Sequence, residues 1–242
     1  MDKEEKFLYP ICDADGKWGY EDFHSNMILP PQWNHAELFF EGLAAVKDDK
    51  GKYGFIDKRG NLIIPCQWHE VGIFHEGLVS VKNHLGKWGF IDMNGQIIID
   101  CKWKDVCYGF SEGFADVQDS NGKWGFINKN GDEEIPFMWE FVLYFSEGLA
   151  AVKNHNGLWG FVDKDGFIVI PCQWSEVDLF HDGLAAVKGN NGLYGYIDKN
   201  GNLIITYRWQ YADDFIDGIA KVIDTSGFKL MINKNCKVID HW

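Results

Sequence analysis

Two short stretches carry the alternating carboxylates that open a calcium-binding loop, Asp13-Ala-Asp-Gly16 and Asp163-Lys-Asp-Gly166. Such a loop needs a bidentate Glu at its twelfth position, where His24 and Trp174 stand instead. Equivalent stretches read Asp57-Lys-Arg-Gly60 and Asp92-Met-Asn-Gly95, so no metal is expected. Six carboxylates precede a glycine at a fixed beat: Glu41, Glu76, Glu112, Glu147, Asp182 and Asp217. They could form a charged ridge for a basic partner, but a solvated turn that discourages edge pairing is the expectation. Glu133 and Glu134 are adjacent. Neighbours on a strand point to opposite faces, so the two cannot share acid and base roles. Local exposure is expected there, with a partner for Glu134 as the alternative. Of the eight histidines, His75 and His181 share a position, filled elsewhere by Phe40, Ser111, Ser146 and Ile216. No G-x-S-x-G, H-E-x-x-H or glycine-rich phosphate loop is present. No enzyme activity, catalytic residue or cofactor is therefore expected.

The residues best suited to binding are aromatic. Trp33, Trp68, Trp103, Trp139, Trp174 and Trp209 form a row that could stack on sugars or peptides if it reaches the surface. A tryptophan at a fixed repeat position also serves as core, and core is the expected role.

Those residues belong to a strict period. Trp18, Tyr53, Trp88, Trp124, Trp159 and Tyr194 recur every 35 residues with a single step of 36, and each is followed 15 residues later by the second tryptophan. The carboxylate-glycine pairs keep the same beat, which delimits units of roughly 7–41, 42–76, 77–112, 113–147, 148–182, 183–217 and 218–242. The last copy is eroded: Lys229-Leu230 replaces Trp-Gly and Cys236 replaces the turn glycine. Terminal repeats degenerate in this way when one face lacks a neighbour.

Within a unit the pattern is three short strands, seen as 77–82, 88–91 and 96–103. A Val-x-x-Phe step follows (Val71 and Phe74, Val142 and Phe145), whose spacing suits a helical turn or tight bend. The third strand, with Ile97-Ile98-Ile99, reads as covered on both faces. Gly86 belongs to a turn, and Gly89 leaves room for close approach of another backbone or ring. The position of Asp57, Asp92, Asn128, Asp163, Asp198 and Asn233 exchanges Asp with Asn, so it needs an acceptor oxygen for the turn and no charge.

Composition narrows the partners. The 242-residue chain is 46% hydrophobic, with 11 Trp, 9 Tyr and 18 Phe, enough to bury a substantial core. A net charge of −13 argues against nucleic acid and against an anionic membrane surface. No run approaches the roughly 20 apolar residues that span a bilayer. The charged start MDKEEKFLYPIC is unlike a leader. As given, the chain is expected to be cytoplasmic, or exported if a leader has been removed. Cys66, Cys101 and Cys172 share one slot and are expected to be reduced and half-buried; a Cys66–Cys101 disulfide in an oxidising compartment is the alternative.

The repeated GKWGFIDKxGxxIIPxxW and FSEGLAAVK patterns resemble the WG-repeat (KWG) family, known mostly from bacterial proteins, over essentially the whole chain. Tyr53 and Tyr194 depart from it, as does the last copy. The resemblance implies a non-catalytic, β-rich repeat module and carries over no catalytic residues. The expected fold is a single all-β domain, 1–242, of tandem repeats of about 35 residues stacked as an open β-solenoid-like array, or alternatively as a closed seven-bladed propeller-like ring. The expected function is a binding or scaffolding module presenting an extended surface to protein partners. Glycan or cell-wall polymer binding through exposed Trp rows is the alternative. Specific contacts are expected where copies differ, as in 104–111 or 133–138. The oligomeric state stays open.

Overall fold

The computed structural model describes residues 7–242, whose regular elements are all β-strands. The charged start, 1–6, lies outside the described residues. The chain forms two compact units, one running to Phe110 with 129–131, the other covering 111–128 and 132–242.

In the first unit, β1 (Tyr9–Cys12), β2 (Trp18–Glu21) and β3 (Met27–Trp33) form one antiparallel sheet. The next contains β4 (His35–Phe40), β5 (Leu43–Lys47), β6 (Tyr53–Asp57) and β7 (Leu62–Trp68), paired in chain order. β8 (Glu70–Val71), β9 (Leu78–Lys82), β10 (Trp88–Asp92) and β11 (Ile97–Trp103) repeat it, and β12 (Asp105–Ser111) follows. In the second unit β13 (Phe114–Gln118), β14 (Trp124–Ile127) and β15 (Glu133–Trp139) pair in order. They are followed by the sheet of β16 (Phe141–Ser146), β17 (Leu149–Lys153), β18 (Trp159–Val162) and β19 (Ile168–Trp174). The last sheet has six strands: β20 (Ala185–Lys188), β21 (Tyr194–Ile197), β22 (Leu203–Ala212), β23 (Ile219–Asp224), β24 (Lys229–Asn233) and β25 (Val238–His241).

The three strands expected of each copy are present, and the Val-x-x-Phe segment contributes a fourth instead of a helical turn. In β16, Val142 pairs with Val152 and Phe145 with Ala150, with a register shift between them. A bulge of this kind re-aims side chains within a strand, and here both Val142 and Phe145 are buried. A sheet therefore begins two residues after one second-row tryptophan and ends at the next, as in 35–68. The phenylalanine of the Val-x-x-Phe step meets the aromatic of the WG strand. Phe55–Phe74, Phe126–Phe145 and Phe161–Phe180 stand edge-on with centroids 5.0, 4.9 and 4.8 Å apart.

The third strand is not covered on both faces. Leu62 and Ile63 are exposed and Ile64 is buried; Ile97, Ile98 and Ile99 follow the same pattern. This strand is the sheet's edge, where apolar residues can face outward. The edge also explains Pro65, Pro136 and Pro171, whose missing N–H costs no ladder bond on the unpaired side. The expected close approach at the WG glycine is present. A Cβ on Gly89 would stand 2.5 Å from the Ile99 carbonyl oxygen and 2.7 Å from the Cys101 nitrogen. The Asp/Asn position acts as the expected acceptor: Asp92 Oδ1 takes the N–H groups of Asn94 and Gln96 at 2.9 and 2.8 Å. Asn128 Oδ1 takes that of Asp132 at 3.1 Å.

Candidate functional site

The carboxylate row does more than solvate turns. Glu76 (φ 54°) and Gly77 (φ 82°) close a two-residue hairpin in which His75 and Leu78 exchange hydrogen bonds of 3.0 and 3.1 Å. The same left-handed pair recurs at Glu41, Glu112, Glu147, Asp182 and Asp217. Each side chain that meets the following hairpin grips its backbone. In the first unit Glu41 accepts the N–H groups of Glu76 and Gly77, both at 2.9 Å. In the second, Glu112 and Glu147 accept those of Gly148 and Gly183 at 3.0 Å, and Asp182 that of Gly218 at 2.6 Å. A lysine 52 or 53 residues further on adds a second link: Lys129 lies 3.1 Å from Glu76, Lys164 3.1 Å from Glu112, and Lys199 3.1 Å from Glu147. The row is a chain of clasps between copies. Asp13 and Asp163, the calcium-like positions, are likewise committed to their own turns through pairs of N–H groups. Among the described residues no His, Cys, Asp and Glu group of three or more is placed to hold a metal ion. Glu133 and Glu134 are both exposed, and Glu134 accepts from the Asn128 amide at 2.6 Å.

The two aromatic rows are register partners: Tyr53 lies opposite Trp68, Trp88 opposite Trp103, Trp124 opposite Trp139, and Trp159 opposite Trp174. Their fates differ. Trp68, Trp103, Trp139, Trp174 and Trp209 are buried, none above 9% exposed, while Trp33 is half-buried. Trp68, Trp139 and Trp174 fill the space between successive sheets, as Trp68 does among Ile64, Val79, Val81 and Ile91. Five of the six candidate indoles therefore present no face to a glycan. The cysteine slot belongs to the same layer. Cys101 packs in the cluster of Trp68, Cys172 in that of Trp139, and Tyr207, in the equivalent place, accepts the Trp174 indole N–H at 2.9 Å. All six cysteines are thiols, and burial raises the pKa of Cys66, Cys101 and Cys172.

The first row is mixed: Trp88 and Trp124 are buried, while Trp18, Tyr53, Trp159 and Tyr194 are half-buried and reach solvent. What lies between neighbouring first-row rings depends on the second residue after the buried tryptophan. His35 stands between Trp18 and Tyr53, with centroids 5.4 and 6.3 Å away. Phe141 does the same between Trp124 and Trp159 at 5.1 and 6.2 Å. In the next copy the position is Glu176, and no ring fills the gap between Trp159 and Tyr194. A cleft of about 320 Å³ opens there. Trp159, Tyr194 and Tyr211 supply its aromatic walls, Leu143, Val177 and Ala212 its apolar lining, and Glu176 and Asp178 its charge.

The WG containing repeat family model matches residues 18–53, 53–87, 88–124, 124–159, 159–194 and 194–224. The chain belongs to the WG-repeat family. Each match runs from one first-row aromatic toward the next, the period of the sheets. No curated protein matches the sequence. Among solved structures, the WG-repeat chain is similar to the computationally designed protein Ika8, at 13% identity and a TM-score of 0.62, over 100% of this chain and 85% of that one. It is similar to a eukaryotic initiation factor at 11% identity and a TM-score of 0.64, over 99% and 74%. It is also similar to BamB from Moraxella catarrhalis at 12% identity and a TM-score of 0.52, over 83% and 70%. At these identities the likeness is one of fold: all-β repeats of small antiparallel sheets, with propeller-like neighbours that fit the propeller-like alternative.

Glu176 and Asp178 give this cleft its charge. Glu176 receives Lys188 Nζ at 2.7 Å and the Tyr194 hydroxyl, and the lysine bond, then the tyrosine, holds its carboxyl below the usual range. Asp178 accepts the Leu179 N–H at 2.9 Å, and no lysine answers its charge among the described residues. Burial, then repulsion from Asp178, pushes Asp214 up to about 6, although His181 Nδ1 lies 3.1 Å from it. Burial and the carboxylates Asp213, Asp178 and Asp214 also raise the Tyr211 hydroxyl. The variable segments singled out from sequence, 104–111 and 133–138, do not contain this site. The available signal was the second position after the buried tryptophan, which reads His35, Glu70, Asp105, Phe141, Glu176 and Tyr211. It varies more in chemical type than any position of the GKWGFID core.

Proposed function

We propose that this WG-repeat chain is a non-catalytic binding module that uses its copy-variable positions to engage a protein partner. One observation supports the reading above others. Residues that recur in every copy are consumed by turns, clasps and inter-sheet packing, whereas those that differ gather beside half-exposed first-row rings, as at Glu176 and Tyr211. A scaffold held constant with contacts varied on it is how repeat proteins acquire partners. The glycan alternative rested on the second tryptophan row, and five of its six indoles are buried.

The test is affinity capture from lysate of the source cell with the intact chain, followed by reconstitution with the purified captured protein. A saturable complex of fixed stoichiometry supports the reading. Selective retention on insoluble polysaccharide, with no protein complex formed, overturns it.

A further inference from the structure

The cleft between Trp159 and Tyr194 has a chemistry that narrows what it accepts. Its volume of about 320 Å³ lies at the small end of ligand pockets, which run from roughly 300 to 1,000 Å³. That is room for one side chain rather than a cofactor. Three aromatic rings line it, and aromatic faces attract cations through their quadrupole. The chain already uses its first-row rings in this way. Lys153 Nζ lies 5.6 Å from the Trp159 ring centre and Lys188 Nζ 5.1 Å from that of Tyr194. These two lysines do not neutralise the surroundings. Lys188 is spent on Glu176 at 2.7 Å, which leaves Asp178 as a lining carboxylate that no lysine answers among the described residues. A ring closes the equivalent gap at His35 and at Phe141. In the Glu176 copy that place stands open, walled by rings and carrying negative charge.

We propose that this aromatic, acidic cleft receives a cationic side chain, the ammonium of a lysine or the guanidinium of an arginine, from a partner polypeptide. The proposal deepens the protein-binding reading and rests on it. The ring that plugs the gap internally at His35 and at Phe141 is replaced here by a plug brought from outside. Charge complementarity selects a cation, because an anionic side chain would meet Glu176 and Asp178, and a neutral one would leave Asp178 unanswered.

The experiment follows the Trp159 indole N–H resonance of the ¹⁵N-labelled intact chain during titration with short capped peptides. The probes carry a single arginine or lysine, or their neutral analogues citrulline or norleucine. The expected result is a saturable shift with the cationic peptides, about tenfold weaker for the neutral ones, in line with the strength of cation–π contacts. Asp178→Asn keeps the acceptor for Leu179 and removes the charge, and Tyr211→Leu removes an exposed wall. Each is expected to weaken the cationic titration several-fold while leaving the rest of the spectrum in place. Equal shifts with norleucine, saturation by a neutral oligosaccharide such as cellotetraose instead, or no shift with any cationic peptide overturns the proposal. A captured protein whose complex leaves the Trp159 resonance unmoved also overturns it, and in that case the protein-binding reading stands.

Discussion

Glu147 offers the sharpest test of how the copies are held together. Its backbone is left-handed, at φ 52°, where a non-glycine residue is strained by roughly 1–2 kcal/mol. A hairpin of this kind favours Asn-Gly or Gly-Gly, so Glu is a poor local choice. Its carboxylate, however, accepts the Gly183 N–H at 3.0 Å and lies 3.1 Å from Lys199 Nζ. A hydrogen bond to a charged group contributes about 1.5–3 kcal/mol. The ion pair itself, with side chains 30% and 43% exposed, adds no more than about 0–1 kcal/mol after solvent screening. The clasp thus offsets the strain.

Three substitutions separate the contributions. Glu147→Ala keeps the strain and loses the clasp, for an expected loss of about 2 kcal/mol. Glu147→Gly loses the clasp but relieves the strain, and is expected to recover roughly 1 kcal/mol of that. Glu147→Gln keeps an acceptor for Gly183 and loses the lysine pair, costing less than about 1 kcal/mol. Urea unfolding followed by far-ultraviolet circular dichroism gives the ranking, and amide hydrogen exchange at 181–184 shows whether the loss is local to the gripped hairpin. If the alanine variant unfolds with the wild type, the clasp contributes nothing. If the glycine variant is no more stable than alanine, the strain argument is wrong.

Gly160→Ala places a Cβ 2.5 Å from the Ile170 carbonyl oxygen and 2.7 Å from the Cys172 nitrogen, both immovable backbone, and is expected to cost about 3 kcal/mol in the same urea assay. Asp214 has a folded-state pKa of about 6, above its unfolded value, so its contribution is fully present below the unfolded pKa of about 3.9 and is lost as pH rises through about 6. Thermal unfolding should therefore show stability rising from pH 7 to pH 5, with Asp214→Asn, facing Asp178, Asp213 and His181, flattening the rise. Asp22 and Asp198 act in the opposite sense. The Asn26 and Asn202 side-chain amides hold their carboxyls below the usual range, so their contribution is present above the unfolded pKa and lost as pH falls through the lower folded value. Among the thiols, Cys12 and Cys107 are exposed and should react with Ellman's reagent before Cys66, Cys101 and Cys172, whose pKa burial raises. Acrylamide should quench Trp159 and Trp18 while Trp68, Trp139, Trp174 and Trp209 resist, which single-tryptophan emission lifetimes would resolve.

Period, strand type, turn chemistry and the crowding at the WG glycine are legible in the sequence because each is a local requirement. A left-handed turn, an acceptor two or four residues from its donors and a missing Cβ all act within one copy. The two aromatic rows are harder. Trp159 and Trp174 are cross-strand partners on one face of a sheet, and nothing local says which ring the following copy will cover. That is decided by where the next sheet lies, so five of the second-row rings become core while four of the first row, Trp18, Tyr53, Trp159 and Tyr194, keep partial access to solvent. The carboxylate row misleads for the same reason. An acidic residue in an exposed hairpin resembles a solvated turn until the N–H groups of a hairpin 35 residues away come into place against it. The Val-x-x-Phe step looks helical because a bulged strand and a helical turn both turn residues three apart inward.

This division between local and inter-copy requirements also indicates where specificity can reside. A position that must satisfy its own turn, the neighbouring hairpin and the packing between sheets has no freedom to vary. The second residue after each buried tryptophan is under none of these constraints: it can plug the gap between first-row rings, as His35 and Phe141 do, or leave it open, as Glu176 does. Changing it exchanges a filled gap for a cleft without disturbing the Gly160 contact, the Glu147 clasp or the Trp174 core. Under the proposed binding role, this chain would change its contacts one copy at a time while the physics that stacks its copies stays constant.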